Sequence, residues 1–315
     1  MPWFPPTAAR LRAMSAAQAH DDACVACGGP VLEPHLTVSG ERGEHGLIPT
    51  TDRYGTALAD IVRCRGCGHM QLERFPPVAD LSEAYAEAES LDYVVEEEGQ
   101  RATARTILAE IERHVRPGRL LDLGCWVGYL LAEARERGWQ AIGVEPSEFA
   151  SNYARERLDL DLITADLFDA ELPEHEFDAV FLGDVLEHLP AAGEALDRVR
   201  ALLAPGGMLA MALPDAGSRL ARAMGARWWS VIPTHVHYFT RGSLAAMLER
   251  HGYEVLELRT QPKTFSVAYY FGRLGGYNAR LSERVVAAAT RLGLADRLWT
   301  PNFRDRMLVI TRPRS

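Results

Sequence analysis

The sequence predicts an α/β fold, a mainly parallel sheet flanked by helices, preceded by a small module built on cysteines. Three observations carry this: two Cys-x-x-Cys pairs near the N-terminus, a strand–glycine turn–helix at 119–138, and an alternation of apolar runs with helix-period segments after it. A length of 315 residues suits one large domain plus a smaller one, and 47% hydrophobic with 24% charged residues suits a globular chain with a sizeable core. The balance of 34 Lys+Arg against 43 Asp+Glu, net −9, disfavours a protein that holds nucleic acid through phosphate contacts. No apolar stretch reaches the ~18 uninterrupted residues of a membrane-spanning helix. A cytoplasmic protein without nucleic-acid partners is expected.

Residues 1–20 form the first segment. Pro2, Pro5 and Pro6 stand where a signal peptide would have its apolar helix, and no acid precedes Asp21. A disordered leader is expected, with a start nearer Met14 or an organelle-transit segment as alternatives.

The second segment, 21–78, carries Cys24, Cys27, Cys64 and Cys67, each pair followed by glycine. Two intervening residues let both sulfurs of a pair turn toward one point, and the glycine lets backbone N–H groups approach the thiolates. Two such knuckles supply a closed tetrahedral zinc site, a ribbon that holds a fold together without catalysing. The wide gap between the pairs leaves room for a hairpin-like segment at Leu36 to Ile61. Redox use of the pairs would need a βαβ context, and disulfides an oxidising compartment. His69 is expected at the surface, and Cys125, outside the ribbon, in packing.

The core with its leading helices is expected over 79–262. Leu81, Tyr85 and Ala88 fall at helical spacing, as do Ile107, Leu108, Ile111 and Val115; Glu96, Glu97 and Glu98 suit a solvated face, and Pro117-Gly118 stops the helix. A strand at 119–123 then turns at Gly124 and Gly128, residues that permit positive φ and close approach of a ligand to a helix N-terminus, before a helix over 130–137. The next strand, 140–144, ends in Glu145, about 20 positions beyond the glycine turn and placed to meet a ribose diol. Ser147 caps the following helix. Strands at 160–164 and 177–182 run into Asp166-Leu167 and into Asp184-Val-Leu-Glu187-His188; a helix ends at Pro205-Gly206-Gly207, and a strand at 208–213 follows. Ligands belong at the carboxyl ends of such strands.

These pieces together resemble the class I S-adenosylmethionine-dependent methyltransferases: Asp122-Leu-Gly124-Cys-Trp-Val-Gly128, Glu145 after the second strand, Ala165-Asp166-Leu167 after the third, Phe177-Asp178 to His188 on the fourth, and Pro205-Gly206-Gly207 before the fifth. The resemblance implies a Rossmann-like seven-stranded methyltransferase sheet, here with a small N-terminal zinc ribbon of four cysteines. It implies S-adenosyl-L-methionine as cofactor, with Asp122, Gly124 and Gly128 at its methionine end, Glu145 at the ribose, Asp166 and Leu167 at the adenine, and Asp184 beside the transferred methyl. The family's middle glycine is Trp126 here, a ring that either crowds the cofactor or points into the protein.

Two places offer bases for the acceptor. Asp184-x-x-Glu187-His188 resembles the metal-binding triplet of ubiquinone-type O-methyltransferases; capping at a loop and direct acid/base use of His188 are its other readings. The loop from Arg227 to Thr240 carries Trp228, Trp229, His235, His237 and Tyr238, and His-x-His-Tyr-Phe-Thr resembles the loop bearing the catalytic histidine in zinc-ribbon sugar C-methyltransferases. That family also has a Tyr-rich linker helix, matched by Tyr85 and Tyr93, and a large C-terminal domain that has no counterpart in this sequence. His237 is slightly favoured over His235, and plain aromatic packing is the alternative. The last segment, 263–315, joins a strand at 253–259 to one at 306–311 through some 45 residues, too many for a hairpin. A lid-like insertion, an acceptor wall of Tyr269, Tyr270, Phe271 and Tyr277, or a contact between copies would each account for it.

The expected activity is methyl transfer to a small molecule, a saccharide or natural-product scaffold, at oxygen or carbon with a histidine base. The alternatives are a phenol O-methyltransferase using a divalent metal, and a catalytically inactive binding module.

Overall fold

The computed structural model of the protein describes residues 23–30, 32–38, 54–77, 81, 86 and 94–314. The leader, the middle of the hairpin-like segment at 39–53, and the helical positions Tyr85, Ala88 and Tyr93 lie outside the described residues.

Short β-rich segments around the cysteines form an antiparallel sheet: β1 (Leu32–Leu36) pairs with β2 (Ile61–Cys64), and β2 with β3 (Met70–Leu72). Helix α1 (Glu97–Ile111) then buries Thr103, Ala104, Ile107, Leu108 and Ile111, the stripe its periodicity dictates. Alternation follows: β4 (Arg119–Leu123), α2 (Tyr129–Glu136), β5 (Gln140–Glu145), α3 (Glu148–Leu158), β6 (Leu162–Thr164), β7 (Phe177–Gly183), α4 (Ala192–Leu202) and β8 (Leu203–Pro214). Next come α5 (Arg219–Met224), a two-residue β9 (His237–Tyr238), α6 (Arg241–Arg250) and β10 (Tyr253–Thr260). The segment between β10 and the last strand holds β11 (Phe265–Ser266), α7 (Val267–Gly272), α8 (Ala279–Arg291) and β12 (Leu298–Trp299), and β13 (Arg306–Pro313) follows.

Seven strands form one sheet in the order β10-β13-β8-β7-β4-β5-β6. The β4, β5, β6, β7 and β8 pairings are parallel, and β13 runs antiparallel between β8 and β10. Successive strand residues face opposite sides. Leu121, Leu123, Val180, Leu182 and Leu209 pack with α4 and α6 on one side, while Leu120, Ala179, Phe181, Met208 and Ala210 pack with α1 and α2 on the other. Cys125 is buried in the second cluster, where packing was expected.

Some boundaries move. The helix expected to run up to Pro205-Gly206-Gly207 stops at Leu202; Leu203 opens β8, which runs straight through the Pro-Gly-Gly with an irregularity opposite Phe177 and Ala179. The third strand of the parallel set starts at Leu162, because the Asp159 C-cap takes a left-handed conformation, φ 51°, and Leu160 turns back to bond Ala154.

The cysteine module is no separate bead. Its sheet has a fourth strand, β9, contributed by the loop between α5 and α6: Met70 pairs with Tyr238 and Gln71 with His237. The Gln71 amide accepts from Val25 N–H at 3.0 Å and donates to the Ala23 carbonyl at 3.2 Å, tying the first knuckle to the same strand. His69, expected at the surface, is instead fully buried, its ring against His237 and Phe239, because it sits on the face that β9 covers.

Candidate active site

The ends of β4 and β7 lie side by side and both break into turns. Gly124 leaves β4 at φ 71°, and a Cβ there would sit 2.6 Å from Val185 Cγ2, so only glycine lets the turn pass under the β7 loop. Trp126 and Asp184 also hold positive φ, 50° and 56°, a conformation uncommon outside glycine and concentrated at functional sites. Between these turns a cavity of about 140 Å³ opens at the carboxyl edge of the sheet, lined among others by Asp122, Gly124, Trp126, Asp184, Lys263 and Phe265.

Asp122 and Glu145 stand at the ends of adjacent strands, both buried. Burial pushes the Asp122 carboxyl up to about 8, with the Glu145 charge adding to it. Burial raises Glu145 to about 7 against two backbone donors, Trp126 N–H to Oε2 at 2.8 Å and Ser147 N–H to Oε1 at 2.9 Å. Glu145 therefore braces the glycine turn from behind. Each of its oxygens has a second lone pair with which a hydroxyl donor could engage.

Trp126 takes a middle course between the two orientations left open by the sequence. Its ring packs toward Phe149 at 6.2 Å and also lines the cavity, and its Nε1–H is buried without a partner among the described residues. Gly128 caps α2. Asp166 turns its Oδ1 to the Phe168 and Asp169 N–H groups at 2.8 and 3.0 Å, and Leu167 is buried in the sheet's first core cluster, so neither lines the cavity.

Asp184 is held by Lys263 Nζ on one oxygen and by the Arg306 guanidinium on the other. Burial would raise its carboxyl, but the two cations prevail and hold it well below the usual range. Lys263 comes from the segment after β10, whose neighbours are pinned to α1: Glu96 accepts from Ser266 N–H and Oγ–H at 2.8 and 2.7 Å, and Thr103 Oγ1 accepts from Thr264 N–H at 2.8 Å. Glu96 is thus an anchor and not the solvated residue expected of its acidic run. The run itself gives no hint of this, since nothing local distinguishes Glu96 from its neighbours.

Next to Asp184, Glu187, His188 and His235 bring ligand atoms within 4.8 Å of one another. Both Glu187 oxygens are buried and lack hydrogen-bond partners among the described residues, and burial beside Asp184 raises the carboxyl to about 8. His188 Nδ1 donates to the Thr234 carbonyl at 3.0 Å and His235 Nδ1 to the Ser230 carbonyl at 2.8 Å, which points each Nε2 lone pair away from those bonds. Burial lowers His188 to about 4 and pushes His235 well below its ordinary value, with the His188 charge adding to the latter. The triplet implied by the ubiquinone-type resemblance does not assemble: Asp184 is committed to two cations, and His235 stands in its place.

His237, the favoured base, lies elsewhere. It is 1% exposed in the seam with the cysteine module; Nε2 donates to the Leu189 carbonyl at 3.1 Å and Nδ1 faces His69 Nε2 at 3.4 Å. With Nδ1 as acceptor, His69 donates and its own Nδ1 is bare, which matches the lack of a partner for that atom among the described residues. A strand position explains this: pairing with Gln71 aims the ring at the seam and away from the cavity. Trp228 and Trp229 also pack, Nε1 of the first on Asp305 at 3.3 Å and the ring of the second edge-on to Phe303.

The four cysteines converge, Cys24 Sγ 3.5 Å from Cys67 Sγ and Cys27 Sγ 3.6 Å from Cys64 Sγ. A tetrahedral ion with metal–sulfur bonds of about 2.3 Å sets its sulfurs about 3.8 Å apart, so the set fits such an ion.

A family described as a methyltransferase domain matches residues 95–258, a little over half of the chain. The ubiquinone biosynthesis O-methyltransferase of Nitrobacter winogradskyi is 33% identical over 156 residues, 44% of this chain and 58% of that protein, and the one from Bradyrhizobium sp. is 36% identical over 100 residues, 29% and 38% of the two chains. The chain therefore spans less than two thirds of the length of these curated relatives, 58% of one and 38% of the other. A chain from the complex of the Haloferax volcanii Trm112 methyltransferase activator with a methyltransferase superposes with a TM-score of 0.51 at 18% identity, covering 76% of this chain and 98% of that one. That likeness shows the fold. The glycine turn, the strand order and the family match agree: the chain belongs to the methyltransferase-domain family, on the Rossmann-like fold of the class I S-adenosylmethionine-dependent methyltransferases.

Proposed function

We propose that the protein methylates a hydroxyl of a small aromatic molecule. The observation that carries this is the cavity at the carboxyl edge of the sheet, where Asp122 and Gly124 meet Asp184 and where Phe181, Phe265, Trp126 and Tyr129 offer apolar and aromatic walls. Asp122 and Gly124 would receive the methionine end of the cofactor, Gly128 the turn beneath it, and Glu145 the ribose through its second lone pairs. Asp166 would stand beside the adenine at the end of β6, outside the cavity itself, with Leu167 packed beneath it in the core. The kinship with ubiquinone biosynthesis O-methyltransferases supports a phenol over a saccharide, and His237, the histidine slightly favoured as base in the saccharide reading, is turned into the seam.

Transfer is an in-line displacement. The acceptor oxygen bonds the methyl carbon as the sulfur–carbon bond breaks, S-adenosylhomocysteine leaves, and the hydroxyl proton must go to a base. His188 would take that proton: its ring is half-buried and held by Thr234, with His235 behind it at 4.4 Å between ring centroids, and the lowered value that leaves it unprotonated also makes it a weak base. A second reading has its own observation, the Glu187 carboxylate, without a hydrogen-bond partner among the described residues, beside His188 and His235. Those three residues fit a divalent cation, which when bound would neutralise the carboxylate and acidify an acceptor hydroxyl. Zinc is the ion we infer for the four cysteines.

Mass spectrometry after incubation with labelled S-adenosylmethionine and a panel of phenols, sugars and nucleotide-sugars tests the acceptor. Label on a phenol oxygen is expected, and label on sugars alone would overturn the reading. His188→Ala should slow transfer by about 10²-fold at unchanged cofactor affinity. Metal analysis separates the two readings: one ion per chain leaves His188 as a base, and a second ion lost in His235→Ala assigns the cation.

A further inference from the structure

The described residues expose six large apolar side chains, and five of them, Leu281, Leu292, Leu298, Trp299 and Phe303, fall within the segment between β10 and β13. The sixth, Val95, precedes Glu96, which pins that same segment. Nothing in the methyl-transfer site uses them.

Helix α8 shows how they are arranged. Ser282 and Ala289 are buried and Val285 and Val286 half-buried, which fixes the face turned to the protein. At 100° per residue, Leu281, Val285, Ala288 and Leu292 form a row along one flank of that face, and Leu292 is 71% exposed. Arg280, Arg284 and Arg291 form the next row outward, all exposed. Trp299, on the short strand β12, is 44% exposed although its ring packs edge-on to Tyr270. Arg297 and Arg304 flank it on the chain, and among the described residues none of these five arginines makes an ion pair.

The charge of this segment runs against that of the chain. From Lys263 to Arg306 there are eight basic and three acidic residues, in a protein of net charge −9. An apolar row beside a row of arginines is the pattern of a helix lying in the interface of a bilayer. Arginine stems bury along apolar surface while their heads reach phosphates. Pairing two copies of this face would set arginine rows against each other, which counts against self-association.

We propose that this face, α8 with the β11–β12 pair, docks the protein onto an anionic lipid surface. The lipid acyl boundary takes Leu281, Leu292 and Trp299, and lipid phosphates take Arg280, Arg284 and Arg291. Lys263 and Phe265, which line the cavity, belong to the same inserted segment, so docking brings the cavity wall close to the bilayer.

Flotation of the full chain with phosphatidylcholine vesicles, with and without phosphatidylglycerol, tests this. Binding only to the anionic vesicles is expected, weakening as salt is raised. Arg284→Glu with Arg291→Glu should weaken it at least about tenfold. Leu292→Ser should weaken it too, and a vesicle-induced blue shift of tryptophan emission should vanish in Trp299→Phe. A thermal shift on adding S-adenosylmethionine that matches the wild type shows each variant to be folded, and reports separately on the methyltransferase site. Absence of flotation, equal binding by the charge-reversed variant, association into dimers through this face, or capture of an acidic peptide without vesicle binding would each overturn the proposal.

Discussion

Asp122 keeps a proton that an exposed aspartate gives up. Its ordinary value is 3.8 and burial raises it to about 8 in the folded chain, so between those values the folded state binds more protons than the unfolded one. Stability of the cofactor-free protein is therefore fully present below about pH 4 as far as this group is concerned, and is lost as pH rises through about 8. Glu145, raised to about 7, acts in the same direction. Thermal unfolding from pH 5 upward should show a falling midpoint, and Asp122→Asn should flatten the slope. The same variant should bind S-adenosylmethionine at least about tenfold more weakly, the scale of a lost charged hydrogen bond, as read by calorimetry. At this scale the sequence is partly legible. Gly124 follows from the strand–turn pattern and Asp122 only from the resemblance, whereas Glu187 is visible only as one member of a triplet whose first member is taken. Lys263 and Arg306 lie 79 and 122 positions from Asp184, and no local pattern announces a pairing at that distance.

Helix α1 and the segment after β10 touch through a glycine. A Cβ on Gly99 would stand 2.6 Å from the Thr264 carbonyl oxygen and 2.8 Å from Phe265 Cα, both backbone atoms with nowhere to yield. Gly99→Ala should cost about 1–3 kcal/mol in denaturant unfolding and loosen the segment that carries Lys263 and Phe265. Hydrogen exchange at Thr264 and Ser266 would report that loosening directly. Elements of this kind are legible where periodicity is strong, as for α1, α2, β4 and β7. The insertion shows itself by its length, but its internal pairing of Phe265-Ser266 with Leu298-Trp299 does not, because two-residue strands leave no alternation to detect. The Tyr-rich segment expected to wall an acceptor packs largely on itself, Tyr269 stacking on Phe265 at 4.2 Å and Tyr270 standing edge-on to Trp299.

At the scale of the molecule, the cysteine module and the catalytic core share backbone. Leu72 N–H donates to the Val236 carbonyl at 3.0 Å, and Val236 N–H donates to the Glu187 carbonyl at 2.9 Å, so a run of hydrogen bonds leads from β3 to the turn after β7. Stripping the metal, or Cys64→Ser, should therefore do more than melt the first strands. It should raise amide exchange at Val236, Tyr238 and His188 and lower turnover, and metal analysis of the wild type should find one zinc per chain at the cysteines. Gln71→Leu removes the two bonds to the first knuckle, leaves Val25 N–H without its acceptor, and should cost about 1–3 kcal/mol. The sheet order follows from the alternation of elements, but the seam does not: β9 has two residues, and its partner lies more than 160 positions earlier. The expectations for His69 and His237 fail for that single reason.

The same seam sets an order of events during synthesis. The knuckles leave the ribosome well before the strand that completes their sheet, which follows more than 160 positions later, so the edge of β3 stays open until Tyr238 has emerged. Were the four cysteines to close on an ion early, that closure would guard the nascent module until its last strand arrives.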